Sequence, residues 1–199
     1  MYTIINGSPK VINSNSSYFV NMITKNLDEY NAFELKDGNY NNIIDSIGKS
    51  KTIILAFPLY VDSPTSITLS FLDYIIDNKV SLKDKSIYTI INCGFREGEQ
   101  NITALNIIKR WCEKVEATYK GAILIGAGEI VGKKKYKFIS NKALKNLKEF
   151  SNIIKEGKDK EIITTVDLLN DKIYCILANL SWNKKGRINN LTKKELKIE

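Results

Sequence analysis

Histidine is absent from the 199 residues of the sequence. This absence excludes catalytic triads that depend on histidine, zinc sites of the HExxH kind and histidine general bases. Cysteine is also rare: three occur, at positions 93, 112 and 175, and they form neither a CxxC pair nor a pairable framework. Cysteines used in this way are typical of a reducing compartment, so we expect a cytoplasmic protein.

Long hydrophobic runs are missing as well. No apolar stretch approaches the ~20 residues that a membrane-spanning helix needs. The chain enters a strand-like run at Tyr2, and no signal-peptide pattern stands in front of it. We therefore predict that the protein has no membrane partner.

Acidic residues are scarce in the C-terminal part of the chain. Residues 1–119 carry 12 basic and 13 acidic side chains, whereas residues 120–199 carry 18 basic and 9 acidic ones. The net charge of +8 therefore originates in the C-terminal part. Such a surface can attract phosphate-bearing ligands or nucleic acid, but a solvated lysine-rich face is the preferred interpretation, and no nucleic-acid partner is predicted.

Strand-like and helix-like runs alternate along the first part of the chain. The runs at 52–57 and 121–127 are continuously apolar, as expected of strands that are buried on both faces. Apolar residues at helical spacing separate the strands. The pattern predicts an α/β fold with a doubly wound, five-stranded parallel sheet. The predicted strands are Tyr2–Asn6, Ala32–Lys36, Thr52–Phe57, Ser86–Asn92 and Gly121–Ala127.

The pattern changes after Lys158. Apolar residues recur at helical spacing from Leu168 to Leu180, and Trp182 and a basic tail follow them. We predict a first domain of residues 1–158 and an extra C-terminal helix in an extension of residues 159–199. Because an apolar helix face is normally buried inside protein, the extension is expected to pack on the domain or on a partner subunit. A helix that lies on a membrane surface is the alternative.

The first predicted strand ends in a loop with the features of an anion site. Gly7 allows a sharp turn, Pro9 stiffens the exit, and the stretch 14–17 is rich in residues that begin helices. A phosphate there would accept hydrogen bonds from backbone N–H groups and hydroxyls, with Lys10 as the nearby cation. Neither the Walker A nor the GxGxxG pattern is present, which indicates a single phosphate. An ordinary strand–turn–helix connection with a serine cap is the alternative.

Two further loops offer what a flat ring would need. The segment Pro58–Thr65 contains two prolines, an aromatic side chain and an acid, and the loop after the fourth strand contains two glycines and Phe95. Loops at the carboxyl ends of parallel strands meet at one edge of the sheet. Together the three loops predict a ligand with a phosphate at one end and a flat ring at the other, which describes FMN. Cys93 has no histidine partner, so a structural role is favoured over a nucleophilic one.

The chain resembles the NAD(P)H-dependent FMN reductase-like flavoproteins of the flavodoxin-like superfamily. The resemblance rests on Asn6–Lys10 with Ser14–Ser16, on Pro58–Ser63, on Cys93–Phe95 and on Gly121–Gly128. It implies a flavodoxin-like sheet of strand order 2-1-3-4-5, with FMN bound at its carboxyl edge by the domain 1–158. It also implies NADPH or NADH as electron donor, and a homodimer.

The same resemblance implies two groups of FMN-binding residues. The phosphate would be held by Ser8, Lys10, Ser14, Asn15, Ser16 and Ser17. The isoalloxazine ring would contact Pro58, Leu59, Tyr60, Val61 and Asp62 on one side and Cys93, Gly94 and Phe95 on the other. Lys10 stands where many members have arginine, which keeps the charge but loses the bidentate fork. Iron–sulfur members of this group carry a compact cysteine cluster before the third strand. Residues 37–50 contain no cysteine, so no such cluster is expected, and no metal site is predicted.

The predicted function is that of an FMN-dependent NAD(P)H oxidoreductase. Electrons would pass from the nicotinamide through bound FMN to a small-molecule acceptor such as a quinone or a free flavin. Because the flavin supplies the redox chemistry, no residue is predicted to act as acid, base or nucleophile. A non-enzymatic electron carrier of the flavodoxin type and a flavin-binding sensor are the alternatives.

Overall fold

A computed structural model describes residues 1–10, 12–133, 136, 138–166, 170–192 and 194–196. The chain divides into two compact units, Met1–Val166 and Asp167–Glu199. The described residues of the first unit form six strands: β1 (Tyr2–Asn6), β2 (Tyr30–Glu34), β3 (Thr52–Pro58), β4 (Ser86–Asn92), β5 (Thr118–Ile125) and β6 (Lys160–Thr164). The helices are α1 (Asn15–Thr24), α2 (Tyr40–Lys49), α3 (Ser66–Asp77), α4 (Ile102–Lys114), α5 (Gly128–Val131), α6 (Asn141–Glu156) and, in the second unit, α7 (Asp171–Ile188).

All six strands form one parallel sheet in the order β2-β1-β3-β4-β5-β6. The predicted α/β class and parallel sheet are confirmed. The central strands β3 and β4 are buried along almost their whole length. This burial explains why β3 has the continuous apolar sequence of a strand that is covered on both faces.

The prediction of five strands in the order 2-1-3-4-5 is wrong, because β6 pairs with β5 and extends the sheet by one strand. The sequence of β6, Lys-Glu-Ile-Ile-Thr, is short and half polar, and only Ile162 and Thr164 are buried. Charged residues are a common protection of exposed sheet edges. An edge strand of this kind has too weak a pattern to be recognised from periodicity.

Helices cover both faces of the sheet. On one face, side chains of α2, α3 and α4 form a continuous core with β1, β3 and β4, and the Trp111 indole N–H donates to the Leu72 carbonyl oxygen at 3.2 Å. On the other face α1 and α6 are joined by a hydrogen bond from the Ser151 hydroxyl to the Ile23 carbonyl oxygen at 2.8 Å. Because this packing fixes the strands, it also fixes the positions at which the loops leave their carboxyl ends.

The division into two units falls between Val166 and Asp167 in the chain, whereas the sequence prediction placed it after Lys158. The second unit contains α7, whose first turn is capped by the Asn170 side chain. The predicted apolar residues Leu168 and Leu169 lie outside the described residues. Packing of this extension on the domain or on a partner subunit stays a prediction. Within the described part of the chain, no helix is long and apolar enough to span a membrane.

Candidate functional site

The loops that follow β1, β3, β4 and β5 are joined to one another at the carboxyl edge of the sheet. The Thr65 hydroxyl donates to the Gly7 carbonyl oxygen at 2.6 Å. The Leu59 N–H donates to the Asn92 carbonyl oxygen at 2.8 Å, and the Cys93 N–H donates to that of Ile125 at 3.0 Å. The structure thus brings the predicted phosphate segment and both predicted ring segments to one edge.

Helix α1 begins in a way that favours an anion at its N-terminus. The Ser14 hydroxyl accepts from the Ser17 N–H at 2.9 Å, and Tyr18 makes the first helical hydrogen bond to the Ser14 carbonyl oxygen. The N–H groups of Asn15 and Ser16 precede that bond and have no partner in the helix itself. The Lys10 ammonium donates to the Asn13 carbonyl oxygen at 3.2 Å, which holds a positive charge beside this turn. These donors, the helix dipole and the cation are the features that an anion would need at this turn.

Ser17 belongs to a side-chain network at the end of β1. The Asn6 amide donates to the Ser17 hydroxyl at 2.8 Å and to the Glu34 carboxylate at 2.9 Å. The Ser17 and Ser14 hydroxyl oxygens are 2.6 Å apart. Since both polar groups of Ser17 have partners inside the protein, a contact from Ser17 to a phosphate would require one of these bonds to be released.

Ser8 is buried in the turn that follows β1. Its N–H donates to the Asn6 side-chain oxygen at 3.0 Å, and its hydroxyl accepts from the Lys10 N–H at 3.4 Å. The preceding Gly7 is packed so tightly that a Cβ atom there would lie 1.9 Å from the Thr68 hydroxyl oxygen. The turn therefore needs glycine because of close packing rather than because of an unusual backbone angle.

Asn92, the last residue of β4, fastens the start of α1 to the sheet. Its buried side-chain amide donates to the Ser16 hydroxyl at 2.9 Å and to the Phe57 carbonyl oxygen at 3.3 Å. A Cβ atom on Gly128 would lie 3.1 Å from its side-chain oxygen, so the start of α5 is packed against the same group. Asn92 is therefore a positioning residue for three of the loops.

The first predicted ring segment, Pro58–Thr65, contains a two-residue hairpin. Tyr60 and Ser63 exchange both backbone hydrogen bonds, at 3.0 and 3.1 Å. Val61 and Asp62 between them have φ angles of 50° and 56°, the combination that a type I′ turn requires. A left-handed conformation is strained for a β-branched residue, and Val61 is nevertheless 97% exposed. The hairpin presents the aromatic ring of Tyr60, half exposed, at the carboxyl edge.

The third segment combines a buried thiol with an exposed aromatic ring. The Cys93 sulfur lies 3.6 Å from the Phe95 carbonyl oxygen and 3.5 Å from that of Glu97. Burial raises the pKa of the Cys93 thiol to about 11. The thiol is therefore protonated at neutral pH, which disfavours a nucleophilic role. Phe95 is 56% exposed, and a Cβ atom on Gly94 would meet no atom within 4 Å.

The loop after β5 forms hydrogen bonds to the Cys93–Phe95 segment. The Ala127 N–H donates to the Phe95 carbonyl oxygen, and the Gly128 N–H donates to that of Cys93 at 2.9 Å. Ala127 takes a left-handed conformation with a φ of 51°. The segment that carries Phe95 is thus held by main-chain bonds from the loop after β5, and the Thr165 hydroxyl adds a bond to the Arg96 carbonyl oxygen.

Sequence reasoning missed the residues that hold this edge together. The side chains of Asn6, Asn92 and Thr65 form hydrogen bonds to other segments at this edge, and none of the three is among the predicted site residues. A signal was present for two of them, since asparagine is the last residue of both β1 and β4. A polar amide at the end of a buried strand needs a hydrogen-bond partner, so its presence predicts a contact between neighbouring segments of the chain.

Solved structures of similar fold are found, whereas no family model and no curated protein matches the chain. The Trp repressor binding protein from Bacillus subtilis superposes with a TM-score of 0.61 at 18% identity, over 75% of this chain and 96% of that one. An NADPH-quinone reductase from P. pentosaceus gives 0.61 at 16%, over 76% and 97%. A Fusobacterium nucleatum flavodoxin bound to flavin mononucleotide gives 0.59 at 14%, over 79% and 99%.

The fold is flavodoxin-like. The resemblance that the sequence motifs indicate is confirmed at this level, because these solved structures include a flavodoxin and an NADPH-quinone reductase. In a flavodoxin-like sheet the ligand crevice lies outside the carboxyl ends of the strands, where the strand order reverses. In this chain the strand order reverses between β1 and β3, so the reversal lies between the loops that follow these two strands. These loops hold the start of α1 and the Tyr60 hairpin.

Proposed function

We propose that the carboxyl-edge loops bind FMN and that the protein is an FMN-dependent NAD(P)H oxidoreductase. One juxtaposition carries the proposal: an anion site at the start of α1 shares an edge with the exposed rings of Tyr60 and Phe95. The fold relatives support it, because one is a flavodoxin bound to flavin mononucleotide and another an NADPH-quinone reductase.

The phosphate of FMN fits the donors that the first loop offers. The N–H groups of Asn15 and Ser16, the Lys10 ammonium and the hydroxyls of Ser8 and Ser14 would hold it. A hydrogen bond to a charged group contributes about 1.5–3 kcal/mol, and the helix dipole adds about 0.3–1 kcal/mol. The Glu34 carboxylate accepts a hydrogen bond from the Asn6 amide and pairs with the Lys36 ammonium. These partners offset its negative charge, which would otherwise repel the phosphate.

The flavin ring would lie between the two ring segments, one after β3 and one after β4. Pro58–Asp62 would contact one side, and Cys93, Gly94 and Phe95 the other. When bound, FMN would supply the transfer of electrons from the nicotinamide to a small acceptor. The chain's own residues would bind and orient the ring and keep water from it. Because the Cys93 thiol stays protonated, it adds no negative charge beside the ring.

The partners of this reaction follow from the resemblance alone. A small-molecule acceptor such as a quinone or a free flavin is proposed, with NADPH or NADH as donor. A homodimer and a cytoplasmic location stay predictions from the sequence.

Steady-state turnover tests this proposal. We expect the FMN-loaded protein to oxidise NADH or NADPH in the presence of a soluble quinone, with a turnover number of about 1–1,000 per second.

Lys10→Ala should weaken FMN binding about tenfold, because a charge-assisted contact is lost, and excess FMN should restore turnover.

Lys25→Ala is the matched control, since Lys25 is an exposed lysine that follows the far end of α1. It should behave like the unchanged protein. Bound FMN without oxidation of either nicotinamide would contradict the enzyme and favour an electron carrier or a sensor.

A further inference from the structure

A second pocket lies at the amino edge of the sheet, opposite the loops that are proposed to bind FMN. It opens between the C-terminal ends of α3 and α4 and has a volume of about 330 Å³. The chain segments 79–83 and 114–116 line it before the chain enters β4 and β5. Its volume is within the range of small-molecule sites.

The pocket combines an apolar wall with positive charge. The residues that line it include four aliphatic ones, three lysines and one glutamate. None of the three lysines forms an ion pair with any residue that the structure describes. The lining comprises Ile75, Ile76, Val80 and Val115, then Lys79, Lys83 and Lys114, and finally Glu116 and Ser81.

Two of the charged lining residues occupy backbone positions that favour glycine. Lys79 has a φ of 50° and Glu116 a φ of 57°. Each follows a helix C-terminus that closes with a hydrogen bond back into its last turn, from Val80 to Ile75 at 3.0 Å and from Ala117 to Cys112 at 2.9 Å. Glycine is the usual residue at such positions because it is unstrained there. A lysine and a glutamate therefore occupy positions at this pocket where glycine would be unstrained.

Helix dipoles account for only part of the positive charge. Lys114 is in the last turn of α4, where a cation is favoured by the dipole. Lys83 lies in the loop between α3 and β4, outside both helices. Its presence beside the same apolar wall is therefore not explained by helix stability.

We propose that this pocket binds a small organic anion that carries an apolar chain or ring. The anionic group would lie among Lys79, Lys83 and Lys114, and the apolar part against the isoleucine and valine wall. Apolar burial and charge attraction would both contribute, since exposed ammonium groups alone hold an anion weakly. The site is separate from the flavin loops and does not depend on the proposed redox function.

Titration of the full-length chain with octanoate tests the proposal, with ¹H–¹⁵N correlation spectra as the readout. We expect saturable shifts confined to residues 75–83 and 114–116, and an affinity that falls as salt is added. Octanol and inorganic phosphate, which each lack one half of the chemistry, should bind at least threefold more weakly. Equal binding of octanol, or shifts that do not saturate, would overturn the proposal.

Substitutions separate binding from folding. Lys83→Ala, at an exposed loop position, should weaken octanoate binding at least threefold. Lys79→Gly should raise Tm by roughly 2 to 4 °C, because backbone strain is relieved, and should weaken octanoate binding as much as Lys83→Ala does.

Asp84→Gly is the matched control, since Asp84 has a φ of 65° but does not line the pocket. It should raise Tm without changing octanoate binding. Unchanged affinity in Lys79→Gly and Lys83→Ala would contradict the proposed site.

Discussion

Replacement of Gly7 by alanine is expected to lower the free energy of unfolding by about 2–4 kcal/mol and to weaken FMN binding more than tenfold. A Cβ atom at this position would lie 1.9 Å from the Thr68 hydroxyl oxygen and 3.3 Å from the Cβ atom of Phe57. Thr68 is buried and hydrogen-bonded to Thr65, so its side chain cannot move away without losing a bond. The turn that precedes Ser8 and Lys10 would shift instead.

Urea unfolding and FMN titration of the same preparations measure the two effects. Gly7→Ala combined with Thr68→Ala should recover part of both losses, because the second change removes the hydroxyl that the new methyl group meets. Gly48→Ala is the matched control: a Cβ atom at Gly48, which lies in α2, meets nothing within 4 Å. This control should leave FMN binding unchanged and raise helix stability by up to about 1 kcal/mol. If Gly7→Ala behaves like the control, the packing described for the first turn is incorrect.

Replacement of Gly126 by alanine is expected to cost about 3–5 kcal/mol of folding free energy. The added Cβ atom would lie 2.1 Å from the Arg96 carbonyl oxygen and 2.7 Å from the Gly98 nitrogen. Both are main-chain atoms, so no rotamer change can relieve the contact. The segment that carries Phe95 would have to move away from the end of β5, and binding of the flavin ring would weaken with it.

Gly94→Ala is the matched control in the same segment, because a Cβ atom there meets nothing within 4 Å. Its unfolding free energy should stay within about 0.5 kcal/mol of the original value, as for surface changes in general. Thermal or urea unfolding of both variants provides the comparison. Similar stability of the two variants would contradict the close approach of the loops after β4 and β5.

The sequence was sufficient for the elements whose local pattern is strong. β1 and β4 have the predicted limits, Tyr2–Asn6 and Ser86–Asn92, because both are apolar runs with clear turns after them. The start of α1 within residues 14–17 was predicted from residue types alone, and Ser14 is its N-cap. β6 escaped prediction because its stability comes from pairing with β5 rather than from its own apolar content.

The contacts between loops could not be predicted from local sequence. Asn92 and Ser16 are 76 positions apart in the chain, and their hydrogen bond exists only because β1 and β4 flank β3. The Val61 hairpin also departs from sequence rules, since a β-branched residue occupies a left-handed position that favours glycine or asparagine. Departures of this kind concentrate at functional sites, and this one lies at the proposed flavin edge.

The central claim, that the first loop grips the phosphate of FMN, is tested most directly by comparing the affinities of the apoprotein for FMN and riboflavin. The two flavins share the ring and differ in the phosphate group. The loss of about 2.7 kcal/mol of phosphate contacts predicts that FMN binds about a hundredfold more tightly than riboflavin. Equal affinities for the two flavins, or no binding of either, would contradict it.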